Sequence, residues 1–392
     1  VCSNSLRSIE NTSAIGLLKT EMLEANSLFM QAALKYRLPA GKALAVDRDK
    51  FSEYITLELE NSPYIQIIRE EIKSIRDARL SAFTYVIIAA GPLASNPLIE
   101  SLTSTINCND LYFYDAIAPI VLSDSIDMQK AFWGSRYQIE EKDYLNCPLS
   151  EPEYQCFYNA LLAAEKVMPR QFEEEKHFEG CLPIETMAER GYQTLAYGPL
   201  KPVGLTDPAT GLVPFAVVQL RAENQEKTML NMVGFQTKLK YKEQKRVFRL
   251  IPGLESAEFE RLGSIHRNTY VNGPQVLTPQ LEIKDLQGFY LAGQLTGVEG
   301  YVESAATGVW LGKYLAGKIY GKEICLPPLE TAMGALLRYV SRPNPQFQPS
   351  NVHFGLMPGL KVKAPKYKRK ELYAHRARKA WQDWLQNMCE FI

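Results

Sequence analysis

Leu286 to Lys318 reads LQGFYLAGQLTGVEGYVESAATGVWLGKYLAGK, and this stretch decides the fold. It opens on a short apolar run, Gly288-Phe289-Tyr290-Leu291-Ala292, with the length and composition of a buried strand. Gly293, Gly297 and Gly300 then punctuate a turn. Beyond them, apolar or small residues recur at Val302, Ala305, Ala306, Val309, Trp310 and Tyr314, which is helical spacing. The unit is strand, glycine turn, helix. Glycine lets backbone approach a flat ligand closely. The new helix directs unpaired N–H groups and the positive end of its dipole into the turn. A group that gathers negative charge at one edge, such as a reduced flavin, would suit that turn. An ordinary strand–turn–helix with no ligand has the same spacing.

At 392 residues the chain is long enough for two or three domains and a sizeable core. Equal numbers of acidic and basic residues, 44 each, exclude a global bias toward polyanions, so any such bias must be local. Seven cysteines without CxxC or other ligand spacing speak against a disulfide framework and against a structural zinc site. That usage fits a reducing, cytoplasmic setting. No apolar run approaches membrane-spanning length, and no signal-peptide pattern is present. His177, His266, His353 and His375 show no ligand spacing, so no metal site is expected.

Taken in order, Ala14 to Lys35 carries an apolar face and is expected to be one amphipathic helix. Ala43 to Arg48 reads as a short strand, Asp49 to Asn61 as a helix, and Ile65 to Ile75 as a strand with a charged turn. Phe83 to Gly91, FTYVIIAAG, reads as a parallel-sheet strand apolar on both faces and stopped by Gly91-Pro92. From Ser95 short strands mix with aromatic-rich irregular segments. Val213–Arg221 and Thr228–Phe235 alternate around Glu223-Asn224-Gln225-Glu226, a hairpin signal. Lys361 to Lys379 holds nine Lys or Arg against one Glu, with Tyr367 and Tyr373 interleaved. Such a footprint engages phosphates, or is a solvated helix face. The expected fold class is α/β, with a parallel-sheet domain and an inserted α+β domain. The expected boundaries are 1–95 and 272–341 for the two parts of the first domain, 96–271 for the insert, and 342–392 for a loop and basic tail.

Among reactive groups, Cys181 stands out in FEGCLPIE, where Gly180 and Pro183 constrain the turn and a helix is expected from about Ile184. A thiol at a helix N-terminus ionises more readily and is a better nucleophile at neutral pH, whereas a buried thiol is inert. Cys2 lies in a polar turn, VCSNSLRS. Glu185 and Glu299 are candidate proton-transfer carboxylates.

GFYLAGQLTGVEGYVESAATG closely resembles the C-terminal flavin-contacting motif of the folate- and FAD-dependent tRNA uracil-5-methyltransferases. VCSNSLRS, FYDAIAPIV, YLNCPLS, FEGCLPIE with Met187-Ala-Glu-Arg-Gly191, YGPLKPVGL and SNVHFGLMPG extend that resemblance over nearly the whole chain. The resemblance implies a two-dinucleotide-fold type of flavoprotein. It implies that FAD lies against Ala90, Gly91, Gly293, Gln294, Gly297, Val298, Glu299 and Gly300. It also implies reduction by NADH or NADPH, and a one-carbon unit from 5,10-methylenetetrahydrofolate passed to reduced flavin at N5. Cys181 then corresponds to the thiol that adds to C6 of the target uracil and makes C5 nucleophilic. Cys2 corresponds to the second family thiol, which assists at the flavin step or in resolving the adduct. The product is 5-methyluridine in the tRNA T-loop, whose buried target base must be extruded. Arg190, Lys201 and Arg267 become candidate contacts to phosphates or the folate tail. Nothing in the sequence speaks to oligomeric state.

In family members VCSNSLRS follows a strand, a Gly-x-Gly-x-x-Gly turn and a helix that cradle the FAD pyrophosphate. This chain opens on Val1 and contains no Gly-x-Gly-x-x-Gly. The expectation is therefore a chain lacking its N-terminal dinucleotide-binding segment, with weakened FAD affinity and lowered stability. Two alternatives stand beside the methyltransferase reading. One is an inactive tRNA-binding remnant of the same family. The other is the related, larger flavoprotein family that modifies wobble uridines, against which the cysteine pair and the end at Ile392 speak.

Overall fold

A computed structural model describes residues 3–106, 111–136, 141–167 and 182–388. The chain forms two compact units. The first comprises residues 3–5, Tyr36–Glu53 and Phe113–Arg267. The second comprises Leu6–Lys35, Tyr54–Tyr112 and the chain from Asn268 onward.

The first unit is built on a six-stranded antiparallel sheet. Its order is Phe259–Arg261, Ile120–Leu122, Met229–Met232, Ala216–Ala222, Tyr144–Leu149, Phe132–Gly134. The expected hairpin forms, with Leu230 opposite Ala222 and Met232 opposite Leu220. Strand alternation sorts the central strand cleanly. Ala216, Val218, Leu220 and Ala222 enter an apolar core with Leu145, Cys147, Leu149 and the aromatic face of the Glu151–Ala163 helix, Tyr154, Phe157 and Tyr158.

The opposite face of that strand is polar and still buried. Gln219 stands across from Asn146, and Arg221 from Tyr144. The Gln219 amide donates to Asn146 Oδ1 at 2.9 Å. Arg221 Nε donates to Asn4 Oδ1, also at 2.9 Å, and its Nη2 donates to Ser3 Oγ. Asn4 in turn donates to the carbonyls of Val46 and Ala222, each at 3.0 Å. A fully buried Asn thus joins the strand Ala43–Val46 to the sheet and gives a buried guanidinium its acceptor. Buried polar groups persist when paired in this way.

In the second unit Val86–Ile88 and Phe289–Leu291 pair in parallel, Val86 with Phe289 and Ile88 with Leu291. The Tyr301–Ile319 helix follows and buries Val302, Ala306, Trp310, Leu311 and Leu315. The Ala14–Glu24 helix packs against it and against the Ala332–Ser341 helix. Glu21 accepts from the Ala332 and Met333 N–H groups at 2.8 and 2.7 Å, and so caps the latter helix with two otherwise unpaired donors. The terminal helix, Lys366–Met388, buries Ala374, Ala377, Trp381 and Trp384. Its Trp384 indole donates to the Cys325 carbonyl.

Three local expectations change. Ala14–Lys35 is two helices, Ala14–Glu24 and Leu28–Lys35, because Asn26 turns left-handed (φ 59°) and the Ser27 hydroxyl caps the second. Residues 65–75 form no strand, and Ile65, Ile67 and Ile68 are exposed. The 83–91 run contracts to Val86–Ile88 with Ile87 outward, since apolar composition marks strand preference without specifying how many neighbours cover it. No described helix is long and apolar enough to cross a membrane.

Replacing Asn4 with alanine removes all three Asn4 side-chain bonds and leaves Arg221 Nε buried without its acceptor. The expected cost is about 3 kcal/mol, read as a lowered denaturation midpoint. An Asn4→Ala midpoint within error of wild type would contradict the tie described above.

Candidate functional site

Parallel pairing in register brings two chain exits to one edge. Ile88 lies beside Leu291, so Ala90 and Gly293 each sit two residues beyond a paired position. The Ala292 N–H continues the ladder to the Ile88 carbonyl. Ligands of open α/β sheets bind in the crevice outside the carboxyl ends of parallel strands, and this is such a place.

From that edge the chain makes a short 3-10 turn, Gly293–Thr296, and then enters the Tyr301–Ile319 helix. Gly293, Gly297 and Gly300 have φ of 72°, 94° and 108°, in the region that favours glycine. Their surroundings differ. A Cβ at Gly297 would stand 2.3 Å from the Phe347 ring, and one at Gly300 2.4 Å from Glu303 Oε2. These two positions are filled by the protein itself. A Cβ at Gly293 would meet nothing closer than the Ser304 Cβ at 3.8 Å, and one at Gly91 nothing within 4 Å. Backbone open to a flat ligand is therefore offered by Gly91 and Gly293, beside the exposed Ala90.

The turn is locked from several sides. The Gly293 N–H donates to Thr307 Oγ1 at 2.7 Å, and Thr296 Oγ1 donates back to the Gly293 carbonyl. Gln294 Nε2 donates to the Glu299 carboxylate. The segment beginning at Ser350 lies along the turn: Glu299 N–H donates to the Ser350 carbonyl, Asn351 Nδ2 to the Glu299 carbonyl, and Val298 bridges Ser350 in parallel. Val298 is fully buried and Glu299 nearly so. Among the residues named from sequence, Ala90, Gly91, Gly293 and Gln294 border the open edge, while Gly297, Val298, Glu299 and Gly300 shape it from behind.

Sequence reading missed a charge cluster beneath the first turn of the helix, in which Glu303 and Lys19 are buried while Arg7 and His353 reach the surface. Glu303 accepts from Arg7 Nη1 at 2.7 Å and from the Val352 N–H at 3.0 Å. Lys19 is almost wholly buried, and its ammonium donates to the Ser8 carbonyl at 2.5 Å. Burial first, then the neighbouring Arg7 charge, depress Lys19 to about 7, against the pull of Glu303. Burial raises the Glu303 carboxyl, opposed chiefly by Arg7. Burial and Arg7 together lower His353 and favour its neutral form. The visible clue was a Glu three residues past Gly300, in the first turn of the helix.

Cys2 and Cys181 lie outside the described residues. Cys147 is buried and its thiol is pushed up to about 12, as an inert core cysteine would be. Glu185 is fully buried, accepting from Thr237 Oγ1 and the Lys238 N–H, with burial raising its pKa. Those bonds make it a tie between the Ile184–Ala188 helix and residues 237–238.

Comparison with known proteins follows the same lines. Residues 1–323 match the family model described as glucose inhibited division protein A. A methylenetetrahydrofolate–tRNA-(uracil-5-)-methyltransferase TrmFO of Oleidesulfovibrio alaskensis is 57% identical over 384 residues, spanning 98% of this chain and 86% of that protein. The like-named protein of Aquifex aeolicus is 54% identical over 386 residues, with the same coverage of both chains. Among solved structures, Aquifex aeolicus GidA in its form II crystal superposes with a TM-score of 0.65. It has 16% identity and covers 98% of this chain and 67% of its own. That likeness speaks for the fold, and the expected α/β class of flavoprotein architecture holds.

Two substitutions separate packing from openness. Gly297→Ala drives a methyl into Phe347 on backbone that disfavours it, for an expected loss of about 3 kcal/mol. Gly293→Ala meets only the backbone penalty, about 1 kcal/mol. Thermal melts of both should rank them in that order. A third prediction concerns pH. Unfolded Lys19 holds its proton up to its ordinary value of 10.5, while the folded chain releases it near 7. Between those values the unfolded state binds more protons, so Lys19 adds stability as pH rises and loses it as pH falls. The stability of wild type relative to Lys19→Met should rise by about 1.4 kcal/mol per pH unit above pH 7. Parallel curves from pH 7 to 9 would refute it.

Proposed function

Since the chain belongs to the methylenetetrahydrofolate–tRNA-(uracil-5-)-methyltransferase family, we propose that it forms 5-methyluridine in the T-loop of tRNA. Methylenetetrahydrofolate is the one-carbon donor, as in the name of the relatives, and FAD reduced by NADH or NADPH is the carrier and reductant, as the flavin-contacting motif implies. A cytoplasmic setting accompanies that substrate. The observation that carries the reading is the open glycine backbone of Gly91 and Gly293 at the carboxyl ends of two parallel strands, in front of a 19-residue helix.

The residues present fit a flavin. Ala90, Gly91, Gly293 and Gln294 would lie against its ring, with Gly297, Val298, Glu299 and Gly300 holding the turn in shape behind them. The amino end of the Tyr301–Ile319 helix favours negative charge at a ring edge. FAD, when bound, supplies two electrons and a carrier for the one-carbon unit. The remaining chemistry belongs to the chain and its substrate. Cys181 Sγ adds as thiolate to uracil C6, and C5 becomes nucleophilic and takes the one-carbon unit. C5 then loses its proton as the one-carbon unit parts from its carrier, which leaves an exocyclic methylene on C5. That methylene takes a hydride equivalent, the two electrons the reduced flavin would supply, and becomes the methyl group as the S–C6 bond breaks and the thiolate is released. Cys2 assists this exchange. Both cysteine roles rest on the FEGCLPIE and VCSNS motifs.

The test supplies the chain with a tRNA transcript, methylenetetrahydrofolate, FAD and NADPH, followed by mass spectrometry of the nucleosides. The expected outcome is 5-methyluridine at the T-loop position, with Cys181→Ser reducing the rate at least about a thousandfold. Wild-type protein that retains FAD yet leaves the uridine unmodified would overturn the proposal.

A further inference from the structure

The Lys361–Lys379 segment holds nine of the 44 basic residues and one acid, leaving 35 basic against 43 acidic residues elsewhere. The structure shows how these charges are used. Arg376 donates to the Pro358 and Gly359 carbonyls, and Arg369 Nε to the Ala364 carbonyl, so both guanidiniums brace the chain's entry into the Lys366–Met388 helix. Lys361, Lys363, Lys366, Lys368 and Lys370 are all exposed. Among the described residues, no carboxylate stands within ion-pair distance of any of the five.

These lysines sit against a rule. The first turn of the helix holds no acidic residue, and cations there face the positive end of the helix dipole. Both the dipole and their mutual repulsion disfavour the arrangement, and a local cost with no structural return marks a functional surface. Polyanions relieve both at once. Tyr367, 76% exposed among the lysines, adds a ring on which a base can stack. The helix has already committed its apolar side, since Ala374, Ala377, Trp381 and Trp384 are buried. It therefore lacks the free apolar face with which an amphipathic helix enters a lipid surface.

We propose that residues 361–370 form a docking surface for the phosphate backbone of the folded tRNA, contacted by Lys361, Lys363, Lys366, Lys368 and Lys370. The identity of the RNA rests on the function proposed above, whereas the charge arrangement stands independently of it.

The experiment measures binding of a fluorescently labelled tRNA transcript to the 392-residue chain across a range of salt concentrations. It compares wild type with the triple variants Lys366→Glu/Lys368→Glu/Lys370→Glu and Lys366→Gln/Lys368→Gln/Lys370→Gln. Loss of three phosphate contacts should weaken binding at least about tenfold near 0.1 M salt and lower the slope of log K against log salt by about 2. The glutamate variant places acids at the helix amino end, so its melting temperature should equal or exceed that of wild type. Unchanged affinity and slope in both variants would overturn the surface. So would equal displacement of the tRNA by polyglutamate at matched charge, which would make it a general anion-docking face. Wild type that retains FAD and binds tRNA with a steep salt slope, lowered in both triple variants, but forms no 5-methyluridine would support the surface while sinking the methyltransferase reading.

Discussion

A single buried carboxylate, Glu303, organises the amino end of the long helix in the second unit. It receives the Arg7 guanidinium, 296 residues away in sequence, and the Val352 N–H, 49 residues away. Its Oε2 occupies the space that a side chain at Gly300 would need. One group therefore holds the first turn of the long helix, the chain around Arg7 and the segment following Ser350 in one arrangement. Removing Arg7, whose side chain is partly exposed, would leave the buried Glu303 carboxylate without that counter-charge, which is why such a group tolerates little change.

The same economy appears at the turn. Gly297 and Gly300 are glycines because protein atoms already fill the space beside them, and Gly293 and Gly91 because nothing does. The first two allow Phe347 and Glu303 to approach the backbone closely, which fixes the shape of the turn. The second two leave the edge of the parallel pair bare. The surface is thus rigid behind and open in front, the combination that preorganised binding of the proposed flavin would require.

Much of this was readable in advance. The strand, turn and helix of residues 286–318 appear where periodicity puts them, as Phe289–Leu291, Gly293–Thr296 and Tyr301–Ile319. The hairpin around residues 223–226 forms as read. Periodicity failed where a single residue outweighed it. Asn26 ended a helix whose apolar face continued past it, and residues 65–75 had strand composition but pair with no strand among the described residues. The Asn4–Arg221 tie left no periodic trace, because an Asn in a polar turn and an Arg on a strand look solvent-exposed until the chain between them closes.

Sequence by itself determined the order of local elements, the family to which the chain belongs and the concentration of basic residues near its end. Each of these depends on residue type and spacing along the chain. Tertiary structure alone decided which glycines are open, which charges are buried, and which lysines have no counter-charge among the described residues. Those properties are set by desolvation and by partners tens to hundreds of residues away. The physical reason is that electrostatic and packing energies depend on what occupies the few ångströms around a group, and no local pattern encodes that.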